Sequence, residues 1–185
     1  MRQEIALVRS CGPFAVRKIY TTMKYRRLRA DELEEMEREF ITFLASNSIT
    51  SDDWEKLKKE DPEKTEQLIQ LFSDIVFDKV LDKVEYLEYK APKDLKTFHF
   101  GPDKAIMLGV RVDGESRIDF TKNESPEQMS GQMLLSDARL KLYRAEKQYQ
   151  QDRKKEIFDL MEAGALISRD GAMYKTLQDL ADRKV

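Results

Sequence analysis

Several groups of residues in this chain have types and spacings that could do chemistry. Lys24, Arg26, Arg27 and Arg29 crowd around Tyr25, a combination that can neutralise phosphates while the aromatic ring stacks on a base. Glu32, Glu35 and Glu39 recur at helical spacing, as do Asp74, Asp78 and Asp82. Carboxylates sharing one helix face could exchange protons or hold a divalent cation. His99 is the sole histidine and Cys11 the sole cysteine, so a histidine-based triad or a cysteine-rich zinc site has little to work with. Further along, Arg139, Lys141, Arg144, Lys147, Arg153, Lys154 and Lys155 form a second basic stretch.

Each group also has an ordinary structural explanation. Lys79 and Lys83 alternate with Asp78 and Asp82 as on a solvated, salt-bridged helix surface. Asp137, Glu146, Asp152 and Glu156 dilute the second basic stretch. His99 alternates with Phe98 and Phe100 and is expected to face away from them, on a strand surface. There is no glycine-rich phosphate loop, Gly-x-Ser-x-Gly elbow or His-Glu-x-x-His. The chain is therefore expected to be non-enzymatic, with no catalytic residue, metal site or cofactor.

The elements that would position these residues are mostly helical. From Asp31, apolar Leu33, Met36, Phe40, Ile41, Phe43 and Leu44 trace one stripe, predicting a helix over 31–46. Thr50 or Ser51 caps a short helix over 51–60, and Asp61-Pro62 opens a longer one over 62–84. Its apolar face makes it the expected centre of the core. The period then drops to two, predicting strands at about 85–90, 96–100, 105–112 and 117–120, joined through Gly101-Pro102-Asp103-Lys104 and Asp113-Gly114. Ser125-Pro126 marks another helix start. Leu135, Ala138, Leu142, Ala145 and Tyr149 then repeat three and four apart, the seam of a coiled-coil-like pairing. They predict a helical arm over 126–163 whose seam breaks at polar residues 150–155. Gly164 is a C-cap, and a short helix follows over 172–182. The expected class is α+β, mainly α: N-terminal helices packed on a small antiparallel β-meander, then a long C-terminal helical arm, in one domain over 23–185.

Composition fits a helical protein. Charged residues make up 37% of the 185 positions, while Gly and Pro number only 7 and 5. A net charge of −2 argues against a general nucleic-acid or membrane binder. Residues 1–22 carry only a four-residue apolar run, Ile5 to Val8, ended by Arg9, too short for a signal peptide. They are expected to be a poorly ordered or non-native extension, with Met23 the native start. With one cysteine and no membrane-length apolar run, the expected compartment is the cytoplasm.

Three segments, MKYRRLRADELEEMEREFITFLASNSITSDDWEKLK, LFSDIVFDKVLDKVEYLEY and EIFDLMEAGALISRDGAMYKTL, resemble an uncharacterised family of small cytoplasmic proteins from Bacteroidetes-type bacteria. The resemblance covers most of Met23 to Leu180 and implies no activity, so no functional residue carries over. The function expected is binding of another macromolecule, a protein or a second copy of this chain, through the arm: Leu135, Ala138, Leu142, Ala145, Tyr149, Arg153, Lys154 and Lys155. The alternatives are a nucleic-acid-associated accessory protein using Lys24, Tyr25, Arg26, Arg27 and Arg29, and a carboxylate-based metal-binding protein or enzyme. No membrane partner is expected.

Overall fold

Proline at the first helical position and the Asp61 carboxylate, which accepts from the Lys64 N–H at 3.0 Å, start a helix that runs Pro62–Asp82. The computed structural model describes residues 23–182 apart from Asn123, Ser136, Asp137 and Gln151. The expectations for residues 1–22, including Cys11, lie outside the described residues. In chain order the elements are α1 (Ala30–Glu35), α2 (Glu37–Ser46), α3 (Ser51–Glu60), α4 (Pro62–Asp82), β1 (Tyr86–Ala91), β2 (Asp94–Phe100), β3 (Lys104–Asp113), α5 (Pro126–Leu135), β4 (Arg139–Gln148), α6 (Arg153–Glu162), β5 (Leu166–Ser168) and α7 (Ala172–Asp182). The architecture is α+β and mainly α, as the sequence predicts. Met36 interrupts the first predicted helix, dividing it into α1 and α2.

The strands form one antiparallel sheet in the order β4-β3-β2-β1-β5. Strands β1 to β4 are a meander, and β5 joins the far side of β1. One sheet face presents Leu95, Leu108, Val110 and Val112 to Met129 and Met133 of α5 and to Met173, Tyr174 and Leu177 of α7. The other face presents Leu87 and Phe100 to Leu81 near the end of α4 and to Ile157 and Phe158 of α6. A third apolar cluster lies on the outer side of α4, where Ile69 and Phe72 meet Phe40 and Leu44 of α2. Helix α4 thus serves two cores.

Two expectations are corrected. Residues 117–120 form no strand. Ile118 and Phe120 are buried in the first core, but the segment is held by the Phe120 N–H to Pro92 carbonyl bond and by Lys93 Nζ donating to the Ser116 and Ile118 carbonyls. More consequentially, the helical arm over 126–163 does not exist. It is divided among α5, β4 and α6. Strand β4 pairs with β3 over ten consecutive residues, from Lys104↔Gln148 to Asp113↔Arg139. This pairing satisfies the edge of β3 and sets Leu142 and Leu140 beside Val110 and Val112, which a free helix would leave uncovered.

Helix α6 ends in a motif that requires glycine. The Ala165 N–H bonds the Leu160 carbonyl at 3.0 Å and the Gly164 N–H bonds the Met161 carbonyl at 2.9 Å. Gly164 has φ +99°, a left-handed conformation that costs glycine least.

Candidate partner-binding surface

The basic residues after Met23 form a strap tied across α4. The Lys24 and Tyr25 N–H groups each donate to a carboxylate oxygen of Asp74 at 3.0 Å, and the Leu28 N–H donates to Ser73 Oγ at 3.0 Å. Tyr25 is buried, its ring 5.1 Å from Phe158 and 5.8 Å from Phe77. Lys24 pairs with Asp78 at 3.0 Å and with Asp152 at 2.8 Å. Arg26 grips Glu32 through both terminal nitrogens at 2.7 Å, which holds the Glu32 carboxyl down at about 2. Arg27 pairs with Glu66 at 2.9 Å and Arg29 with Glu32 at 2.9 Å. Each cation therefore has a carboxylate within the chain, and the one aromatic ring among them is in the core.

The row of Asp74, Asp78 and Asp82 is accounted for similarly. Asp78 pairs with Lys154 at 2.8 Å and Asp82 with Lys154 at 3.1 Å, so their cations come from α6 and the strap rather than from Lys79 and Lys83. Lys154, then Lys24, hold the Asp78 carboxyl at about 2. Among the described residues no three His, Cys, Asp or Glu side chains converge as metal ligands would. His99 is half-buried rather than a surface residue, with its ring stacked 4.9 Å from Tyr86 and lying 5.4 Å from Tyr174.

The residues predicted to form one seam are dispersed. Leu135, at the end of α5, is 89% exposed beside Leu134 at 65%. Ala138, just before β4, and Leu142 in β4 pack against the first core, whereas Ala145 lies on the opposite sheet face. Tyr149 donates to the Gly101 carbonyl at 2.7 Å. Arg153 aims its guanidinium at the backbone, donating to the Leu81 carbonyl at 3.3 Å, the Phe100 carbonyl at 3.2 Å and the Val84 carbonyl. Lys155 pairs with Asp159 at 2.8 Å.

What sequence periodicity missed is the sheet edge these residues form. The Gly101 N–H to Lys104 carbonyl bond and the Val112 N–H to Lys93 carbonyl bond show that even-numbered residues of β3 bond toward β2. Alternation turns the odd-numbered ones toward β4, where their partners are 139, 141, 143, 145 and 147. The backbone groups of Leu140, Leu142, Arg144, Glu146 and Gln148 consequently point outward. Among the described residues they have no backbone partner. At the other edge β5 has only three residues. Proteins commonly blunt an open edge with brevity, proline, a bulge or charged side chains, lysine above all, and of these β4 carries only the charges, Arg139, Lys141, Arg144, Glu146 and Lys147. Strand β4 is ten residues long and contains no proline, and its register with β3 is unbroken.

Beside this edge the sheet is shaped by one glycine. Tyr143 lies over its cross-strand partner Gly109, and a Cβ there would come within 2.1 Å of Tyr143 Cζ. The Tyr143 hydroxyl donates to Asp94 Oδ1 at 2.6 Å, and Arg111 approaches Asp94 at 3.4 Å. Burial works to raise the Asp94 carboxyl, but those donors outweigh it and hold it below its usual range. Burial, followed by the Asp94 charge, pushes the Tyr143 hydroxyl up. On the same face Phe98, Met107 and Ala145 line a groove of about 450 Å³ bounded by α6, with Lys147, Glu156 and Asp159 at its rim.

Among the described residues no helix is long and apolar enough to cross a membrane. The model of a protein family described as "Family of unknown function (DUF6495)" matches residues 23–182. No curated protein and no solved structure matches the chain.

Proposed function

The chain belongs to this family of unknown function, and we propose that it is a non-enzymatic macromolecule-binding protein that takes up a protein partner along β4. The observation that supports this reading is the ten-residue edge, whose outward backbone groups at 140, 142, 144, 146 and 148 are unpaired among the described residues. Such an edge offers a peptide backbone a preformed hydrogen-bonding template, while neighbouring side chains select the sequence. Leu134 and Leu135, exposed at the end of α5, precede β4 in the chain. A cytoplasmic adaptor or accessory role is part of the proposal, resting on the single cysteine.

The test is capture of partners by the tagged full chain, with and without nuclease, alongside Arg144→Pro. Proline at 144 removes an outward N–H and leaves the β3–β4 bonds in place. A protein partner that survives nuclease and is lost with Arg144→Pro is the expected result. A partner retained by a folded Arg144→Pro variant, or lost on nuclease treatment, overturns the proposal.

A further inference from the structure

The chemistry of the occupant can be inferred from the charge pattern along the edge. Strand β4 carries four cations, Arg139, Lys141, Arg144 and Lys147, against one anion, Glu146, in a chain whose net charge is −2. Arg144 and Lys147 pair with Glu146 and Glu156 respectively. Arg139 and Lys141 are exposed and have no ion-pair partner among the described residues. Arg111, 57% exposed and paired with Asp94 at 3.4 Å, stands directly opposite Lys141 on β3, and Asp113 stands directly opposite Arg139. At this end the face that carries Tyr143 holds three cations against two anions, with Arg139 and Lys141 on the outermost strand. On the opposite face the same stretch presents half-buried Leu140 and Leu142, which extend the row of Val112 and Val110.

We propose that β4 binds an extended acidic peptide of another protein, in which carboxylates alternate with apolar residues; this rests on the edge reading above. Side chains of an added strand stand about 4.5–5.5 Å from those of the strand they join, on the same faces. Carboxylates then meet Arg139 and Lys141, while the intervening apolar residues meet Leu140 and Leu142 and lengthen the first core. The backbone completes its ladder with the outward groups of residues 140 to 148.

A second copy of the chain fits less well. Outward residues must pair with outward residues, so an antiparallel β4–β4 contact over nine of the ten residues sets either Arg139 against Lys147 or Arg144 against Arg144, and the registers that avoid such pairs keep only seven residues, 139–145 or 142–148. Like charges directly opposite are destabilising. A nucleic acid would use the cations and the Tyr143 ring but would leave the amide edge unpaired.

The test uses the full chain and fluorescence anisotropy with three labelled probes: acetyl-(Glu-Val)4-amide, acetyl-(Lys-Val)4-amide and a ten-nucleotide oligothymidylate. The glutamate peptide is expected to bind about tenfold or more tightly than the lysine peptide and to weaken with added salt. Lys141→Glu and Arg144→Pro should each weaken it about tenfold, with melting temperatures within about 2 °C of the parent. Equal binding of both peptides, abolished by Arg144→Pro, overturns the acidic assignment and leaves the edge reading standing. Binding of oligothymidylate alone overturns it in favour of nucleic acid. Absence of peptide binding overturns it too; concentration-dependent dimerisation abolished by Arg144→Pro would then identify a second copy as the occupant. Retention of captured partners by Arg144→Pro is the separate result that removes the edge reading itself.

Discussion

Gly109→Ala tests whether the sheet face beside β4 is shaped by the cross-strand pair Gly109–Tyr143. Glycine is not needed there for a left-handed conformation; it is needed for space, because the new Cβ would come within 2.1 Å of Tyr143 Cζ and 2.5 Å of its hydroxyl oxygen. The ring must swing away, carrying its hydroxyl off the Asp94 carboxylate that it meets at 2.6 Å. A hydrogen bond to a charged group is worth about 1.5–3 kcal/mol. Replacing glycine within a strand returns about 0.5–1 kcal/mol of backbone entropy. The balance is a loss of about 1–2 kcal/mol, which for a chain of this size lowers the melting temperature by about 2–8 °C. Tyr143→Phe keeps the ring and loses the bond, so it should cost a similar amount. In the double variant there is no bond left to break, so the two losses should fall short of additivity by the worth of that bond, about 1.5–3 kcal/mol. Thermal and guanidinium unfolding followed by circular dichroism measure all four corners of the cycle. A Gly109→Ala variant as stable as the parent, or fully additive losses, would refute the argument that the ring's position depends on the glycine.

Other predictions concern the ties that hold the strap and α6 in place. Arg153→Ala leaves the Leu81, Val84 and Phe100 carbonyls without their shared donor and should cost about 2–3 kcal/mol; Arg153→Lys, lacking the fork, should recover less than half, and a loss below about 0.5 kcal/mol in chemical denaturation would count against this role. The Glu32 carboxyl is held from 4.5 down to about 2, chiefly by Arg26. A depressed folded-state pKa stabilises above the unfolded value, so this contribution is present near neutrality and is lost as pH falls from about 4.5 toward 2. Allowing for screening at a side chain 25% exposed, Glu32→Gln should cost about 1–2 kcal/mol at pH 7 and almost nothing near pH 2. An equal loss at both ends of a denaturation series in pH would contradict it.

Much of the fold is legible where a local signal has one meaning. Asp61-Pro62 marks a helix start whatever surrounds it, and Thr50 with Asp53 forms a reciprocal cap at the start of α3. The glycine after α6 behaves as its left-handed C-cap position demands. The region 135–149 is ambiguous because its side chains satisfy two periods at once. Leu135, Ala138, Leu142, Ala145 and Tyr149 fit a helix stripe, while Arg139-Leu140-Lys141-Leu142 alternates as a strand does. The open edge of β3 decides between them through a non-local contact that periodicity does not contain. The Asp152 side chain accepts from the Lys154 N–H at 3.4 Å and caps α6, and could have signalled a helix beginning there rather than continuing. The strap was obscured for a different reason. A run of lysine and arginine does not reveal that Asp74, Asp78 and Glu66 lie on the helix beside it.

These two outcomes together shift where recognition is to be sought. A cation contributes to binding a polyanion only to the extent that its charge is not already compensated, and by that measure the two basic stretches differ. Lys24, Arg26, Arg27 and Arg29 are each compensated within the chain, so recruiting them for a ligand would first require breaking the contacts that hold the strap to α4. Among the described residues Arg139 and Lys141 have no ion pair to break, and they lie on the strand whose outward backbone groups have no backbone partner there. Of the residues that suggested a partner-binding helix, only Leu142 and Ala145 lie on β4, on opposite faces of the sheet. On the proposed edge, recognition works through alternation and hydrogen bonding instead of a heptad seam, so a partner would be selected by the spacing of its charges along an extended chain.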